Sequence, residues 1–237
     1  VLGRRGAVAT SQPLATLAGM EMFWQGGNAV DAAVAMAIAL TVVEPTSNGI
    51  GGDGFALVWD GQLHGLNASG RSPQAMTLDR FAGRDRVPYQ SWLSVTVPGA
   101  VSGWQALSQR WGKLPFEQLF VPAIRYASSG FPVSPETALV WKRAERQFLA
   151  LERPEFQPFK QVFFPNNRAP AAGEIWRSPL HAATLEEIAR TGGESFYRGD
   201  LARRLVEFAA ATGGLLTLED LVNHRADWVA PIATTYR

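Results

Sequence analysis

The stretch "NAVDAAVAMAIALTVVEP", residues 28–45, restricts the fold more than any other: 13 of the 15 residues from Ala29 to Val43 are apolar. Its many alanines favour helix over strand, and a helix this apolar has to be buried. Asn28 followed by Asp31 predicts a capping box at its start, and Glu44-Pro45 predicts its end, because a residue before proline avoids the helical region. The run is shorter than the ~20 residues of a membrane span and contains Asp31, so it reads as a buried helix, with no membrane partner expected.

The next segment, "SNGIGGDGF" (47–55), has the Gly-x-Gly-x-x-Gly spacing of a dinucleotide loop. That loop needs a strand before the glycines and a helix after them. Here a helix comes first and a strand follows. The glycines therefore read as a structural turn, in which positive φ and close backbone approach are expected. After them, "FALVWDGQLHGLNASG" reads as a hairpin turning at Asp60-Gly61.

Elsewhere the pattern predicts a helix from about Pro13 to Gln25 with Leu14, Leu17 and Ala18 on one face, another ending near Gly112, and another over 115–129. A helix capped at Ser134 follows, then a proline-rich surface excursion over 152–178 that could border a site. Beyond Leu180 come two amphipathic helices broken at Gly192-Gly193 and a short capped helix in "TLEDLVNH". "PIATTYR" (231–237) reads as a strand lacking a partner, so the chain is expected to be incomplete alone.

With 237 residues, 46% hydrophobic, 18% charged and a net charge of +1, the composition is globular. Its arginines are scattered, which points away from nucleic acid. The absence of cysteine removes disulfides, thiolate metal sites and cysteine nucleophiles, and it fits either redox compartment. The compartment stays open, the cytoplasm being favoured over the periplasm or secretion, and a chain starting at Val1 leaves a removed leader open too. His64, His181 and His224 share no element at metal-ligand spacing, there is no Gly-x-Ser-x-Gly elbow, and neither a metal nor a cofactor is expected. Spacing alone yields no complete catalytic set.

In their order, "QGGNAVDAAVA" (25–35), "EPTSNGIGGDGF" (44–55), "VPGAVSGW" (97–104), "FYRGDLA" (196–202) and "GGLLTLEDL" (213–221) resemble the large subunit of the γ-glutamyltransferase family. The resemblance implies an α/β (α+β) N-terminal-nucleophile hydrolase, an αββα sandwich of which residues 1–237 would be a single-domain portion completed by a small subunit. It implies a precursor that cuts itself, exposing a small-subunit N-terminal threonine as nucleophile. No catalytic residue would lie in this chain, Thr234 and Thr235 falling upstream of the cleavage point, and more large-subunit sequence would follow Arg237.

In family members acting on γ-glutamyl groups, an arginine after the hairpin binds the substrate's α-carboxylate, chemistry that suits a bidentate guanidinium. That position falls on Ser69, between Ala68 and Gly70. Arg71 lies two residues on, and an even shift along an extended segment keeps it on the same face. Ser69 and Arg71 are thus the candidate substrate-binding residues. The substrate implied is a small-molecule acyl amide, γ-glutamyl or, as the "SGR" loop suggests, another acyl group as in the acylase-like members. The alternative is a non-catalytic member or a substrate-binding scaffold.

Overall fold

The computed structural model describes residues 3, 4 and 6–236. In chain order its elements are α1 (Pro13–Trp24), α2 (Ala29–Val43), β1 (Phe55–Trp59), β2 (Leu63–Asn67), α3 (Ala100–Trp111), α4 (Val121–Ser129) and β3 (Phe131–Pro132). Then follow α5 (Pro135–Leu149), α6 (Gln157–Phe163), β4 (Ile175–Trp176), α7 (Pro179–Arg190), α8 (Glu194–Arg198), α9 (Asp200–Ala211), α10 (Leu218–Asn223) and β5 (Asp227–Val229). They divide into two compact units, one of residues up to Gly49 with Leu107–Gly192, the other of Ile50–Ala106 with the residues from Gly193 on.

In the first unit α2 begins and ends where its capping signals place it. The Asn28 side chain accepts from the Val30 and Asp31 amides, and Asp31 accepts the Asn28 amide at 2.8 Å. α2 packs against α1, α4 and a 3-10 turn over Phe116–Phe120, burying Ala35, Ile38, Ala39, Val42 and Val43. α1 meets it through a face of Ala15, Ala18, Gly19 and the longer Met22, whereas Leu17 is 39% exposed. Of the residues expected to share a face, Ala18 is buried and Leu17 is not; a Cβ on Gly19 would stand 2.7 Å from Met36 Cγ, so the small residues set how closely the helices approach.

Two further expectations in this unit are revised. The helix over 115–129 is a 3-10 turn followed by α4, since Pro122 has no amide to continue an α-helical ladder back to residue 118. The stretch 152–178 is no plain surface excursion. Pro158 sits in the first turn of α6, where proline is tolerated, and Phe164 and Trp176 are buried. The Phe163 ring stacks on Trp176 at 5.9 Å, the Trp141 indole N–H donates to the Phe163 carbonyl at 3.1 Å, and β4 pairs with β3. Aromatic packing orders a segment whose prolines masked its pattern.

His181, on α7, is half-buried with Thr41 Oγ1 at 3.5 Å from Nε2, and desolvation pushes its pKa down to about 4. The folded value lies below the unfolded one, so the unfolded chain takes up the proton first as the pH falls. The stability contribution is complete above pH ~6.5 and is lost on the way down to about 4. We expect the stability difference between pH 7 and pH 4.5, read by urea denaturation, to shrink by about 2 kcal/mol in His181→Gln, from ~1.4 kcal/mol per pKa unit. An unchanged difference would contradict this role.

The second unit holds the antiparallel sheet β1-β2-β5 and helices α8, α9 and α10, which pack on one another. The hairpin turns at Asp60–Gln62, with Gly61 at φ +113°, and its ladder closes at Trp59 opposite Leu63. One face of β1 is open to solvent: Phe55, Leu57 and Trp59 are 68%, 70% and 73% exposed. The strand expected in "PIATTYR" lies earlier, at Asp227–Val229, and it has a partner in β2. Proline at 231 supplies no ladder amide, and Arg237 lies outside the described residues. The second of the two helices expected beyond Leu180 is split into α8 and α9 at Gly199, where the Ser195 hydroxyl accepts the Leu201 amide at 3.3 Å.

Of the two expectations for the glycine turn, close backbone approach is met and positive φ is not. Gly49, Gly51 and Gly54 all have ordinary φ, and a Cβ at Gly49 or Gly51 would meet nothing within 4 Å. The contribution of this turn lies in its backbone, for the Gly52 carbonyl accepts the amides of Gly99 and Ala100 at 2.9 and 3.0 Å.

Candidate functional site

The loop leaving β2, Asn67-Ala68-Ser69-Gly70-Arg71, is held from several sides within the second unit. Ala68 continues the hairpin ladder by exchanging hydrogen bonds with Gly54 at 2.8 and 3.3 Å. The Arg71 carbonyl accepts the Val97 amide at 3.0 Å, so the loop runs directly over Val97-Pro98-Gly99. That crossing is tight enough to require glycine on both strands. A Cβ on Gly70 would lie 1.5 Å from the Val97 carbonyl oxygen, and one on Gly99 would lie 1.9 Å from the Ala68 carbonyl oxygen. Further on, the Gln74 amide donates to Asp220 Oδ1 at 2.9 Å, tying the loop to the capping box of α10.

Beneath the crossing lies a buried polar network. Tyr197 donates its hydroxyl to the Pro98 carbonyl at 2.9 Å and accepts the Ser102 amide at 3.0 Å. Ser102 Oγ is 2.7 Å from the Gly99 carbonyl, an acceptor only, so its single proton points there. His224 Nε2, 2.9 Å from the same Oγ, must then be the protonated ring nitrogen. Burial pushes the Tyr197 phenol up to about 12. Burial also lowers the His224 pKa, Asp227 opposing and Arg225 and Arg71 adding to the shift. Although Ser102 and His224 form a serine–histidine contact, the hydroxyl is buried and its proton is committed to a carbonyl, so the pair supports the loop and does not attack a substrate.

Both residues singled out in the sequence stand on this loop. Ser69 is half-buried, and its amide and hydroxyl both donate to Asn67 Oδ1, at 2.9 and 2.7 Å. The Arg71 side chain is 87% exposed and lies 3.8 Å from Asp227 Oδ2, an ion pair too open to contribute much stability. The asparagine that orients Ser69 and the Tyr197–Ser102–His224 support were not foreseen. Ser102 and Tyr197 do fall inside the segments "VPGAVSGW" and "FYRGDLA", so motif membership was the available signal. Among the described residues, no group of three or more His, Cys, Asp or Glu side chains is arranged to hold a metal ion.

The architecture is α+β, the large-subunit part of an N-terminal-nucleophile hydrolase fold. Along all of its length the chain superposes on the cephalosporin acylase of Bacillus halodurans, with a TM-score of 0.93, 47% identity and 46% of that chain covered. It superposes equally fully on the γ-glutamyltranspeptidase of Helicobacter pylori, with a TM-score of 0.92, 31% identity and 69% of that chain covered. Residues 15–237 match the family model for gamma-glutamyltranspeptidase, and the chain belongs to that family. Among curated relatives it is 38% identical to "Glutathione hydrolase proenzyme 1" of Schizosaccharomyces pombe, over 94% of this chain and 35% of that protein. The chain thus spans about a third of that relative's length.

Proposed function

We propose that residues 1–237 act as one portion of the large subunit of an autoprocessed amidohydrolase or acyltransferase that cleaves γ-glutamyl or related acyl amides. The family match over residues 15–237 carries this reading. The nucleophile would be the threonine that begins a small subunit. Its own α-amino group, with a reference pKa of ~7.7–8.0, is suited to take the hydroxyl proton near neutral pH, and the product is a covalent acyl-enzyme. This chain supplies scaffold and substrate wall, with Ser69 and Arg71 facing the acyl group. The open apolar face of Phe55, Leu57 and Trp59 supports a second sheet packing there, as a small subunit would provide. The word proenzyme in the names of curated relatives supports autoprocessing.

The full gene product is expected to yield two chains by mass spectrometry, and changing the threonine that begins the smaller chain to alanine should leave one uncut chain. The processed protein should hydrolyse a γ-glutamyl anilide or a glutaryl anilide, and the ratio separates glutamyl transfer from broader acylase activity. A full-length product that stays uncut and turns over neither would favour the non-catalytic scaffold.

A further inference from the structure

We infer that Ser69 presents a hydrogen-bond acceptor to the acyl group, so that the preferred acyl chain carries a donor there (an amide N–H, an ammonium or a hydroxyl) rather than a carboxylate. The inference rests on the proposed placement of Ser69 in the substrate wall. The Asn67 side-chain oxygen takes both the Ser69 amide, at 2.9 Å, and the Ser69 hydroxyl, at 2.7 Å. An amide N–H can only donate, so the atom facing it must be the carboxamide oxygen, which has no proton to return. The single hydroxyl proton of Ser69 therefore points at Asn67, and only its lone pairs remain for a ligand.

Turning the hydroxyl towards a ligand would forfeit the 2.7 Å bond to Asn67 Oδ1, an oxygen that the Ser69 amide keeps in place, and the backbone that carries both residues is itself fixed. Ala68 is fully buried, and Gly70 crosses Val97 with no room even for a methyl group. The cation on the same loop is already partly offset. Arg71 is 87% exposed, where its charge is screened by water, and Asp227 stands 3.8 Å from it as a competing carboxylate. A substrate carboxylate placed against the Ser69 hydroxyl would face its lone pairs, whereas an N–H or O–H would find an acceptor.

The test uses the full-length processed enzyme and four anilides of matched acyl length: glutaryl, glutaramyl, 5-aminopentanoyl and pentanoyl. We expect kcat/KM for glutaramyl and 5-aminopentanoyl to exceed that for glutaryl by about tenfold or more, the size of one well-placed hydrogen bond to a polar or charged group. Ser69→Ala should bring the donor-bearing substrates close to pentanoyl. Asn67→Leu, which frees the hydroxyl proton, should move the glutaramyl-to-glutaryl ratio toward glutaryl. Because these readouts are ratios within one protein, a partly folded variant does not imitate them. Glutaryl turned over as well as glutaramyl, or a ratio unmoved by Ser69→Ala, would overturn the inference while leaving the hydrolase reading intact. Failure to cleave any of the four and γ-glutamyl anilide as well, in protein shown by mass to be processed, would overturn both.

Discussion

Gly70→Ala is expected to lower the stability of the chain by about 3 kcal/mol or more, at the severe end for a single substitution. The added Cβ would stand 1.5 Å from the Val97 carbonyl oxygen, 2.5 Å from its carbonyl carbon and 3.0 Å from its Cα. All three atoms are backbone, so no side chain can swing aside. Relief requires the two segments to separate, which breaks the Val97 amide to Arg71 carbonyl bond of 3.0 Å and disturbs the second crossing, where Gly99 passes Ala68. The φ of Gly70 is not in the left-handed region, so the penalty is steric and not conformational. Denaturant midpoints of the full-length product measure it directly. A Gly70→Ala unfolding free energy within about 1 kcal/mol of the parent's would show that the crossing is looser than described.

Asp31→Ala should be comparably damaging, costing about 3–5 kcal/mol, in line with removing a buried charged acceptor from its donors. Asp31 is fully buried and accepts the Asn28 amide at 2.8 Å. It also takes the Lys113 amide at 3.1 Å and the Leu114 amide at 3.4 Å. Alanine leaves those donors inside the protein without an acceptor and removes half of the capping box of α2. Asp31→Asn keeps one acceptor oxygen and is expected to cost less than alanine. Equal losses for the two variants would mean that volume or backbone propensity, and not the carboxylate's hydrogen bonds, decides the effect.

Asp31 also shows how far the sequence could be read. Its spacing from Asn28 and the apolar run behind it announced a capped helix, and α2 begins and ends where those signals lie. Nothing in the spacing announced that the same carboxylate holds amides 82 and 83 residues away. The hairpin was legible because Asp60-Gly61 and alternating residues act over neighbouring positions, and Ser134 and Thr217 were legible as caps for the same reason. The proline-rich segment 152–178 was misread because its order comes from rings packing onto Trp141 and Phe148, which belong to another helix.

The candidate site divides in the same way. Family motifs brought attention to Ser69 and Arg71, and by themselves they suggested a serine that had lost a guanidinium. The direction of that serine's proton is a tertiary matter, since it requires Asn67 to be turned back on its own loop and the loop to be pressed against Val97. The Ser102–His224 contact likewise joins residues 122 apart. The caps of α2, α5 and α10, the hairpin and the family were legible in the residues alone, because those rest on hydrogen bonds and periodicity within a few residues or on contiguous motifs. Which polar groups are buried together, and which way their protons point, depends on segments that meet solely in the folded chain, so no local pattern could announce it.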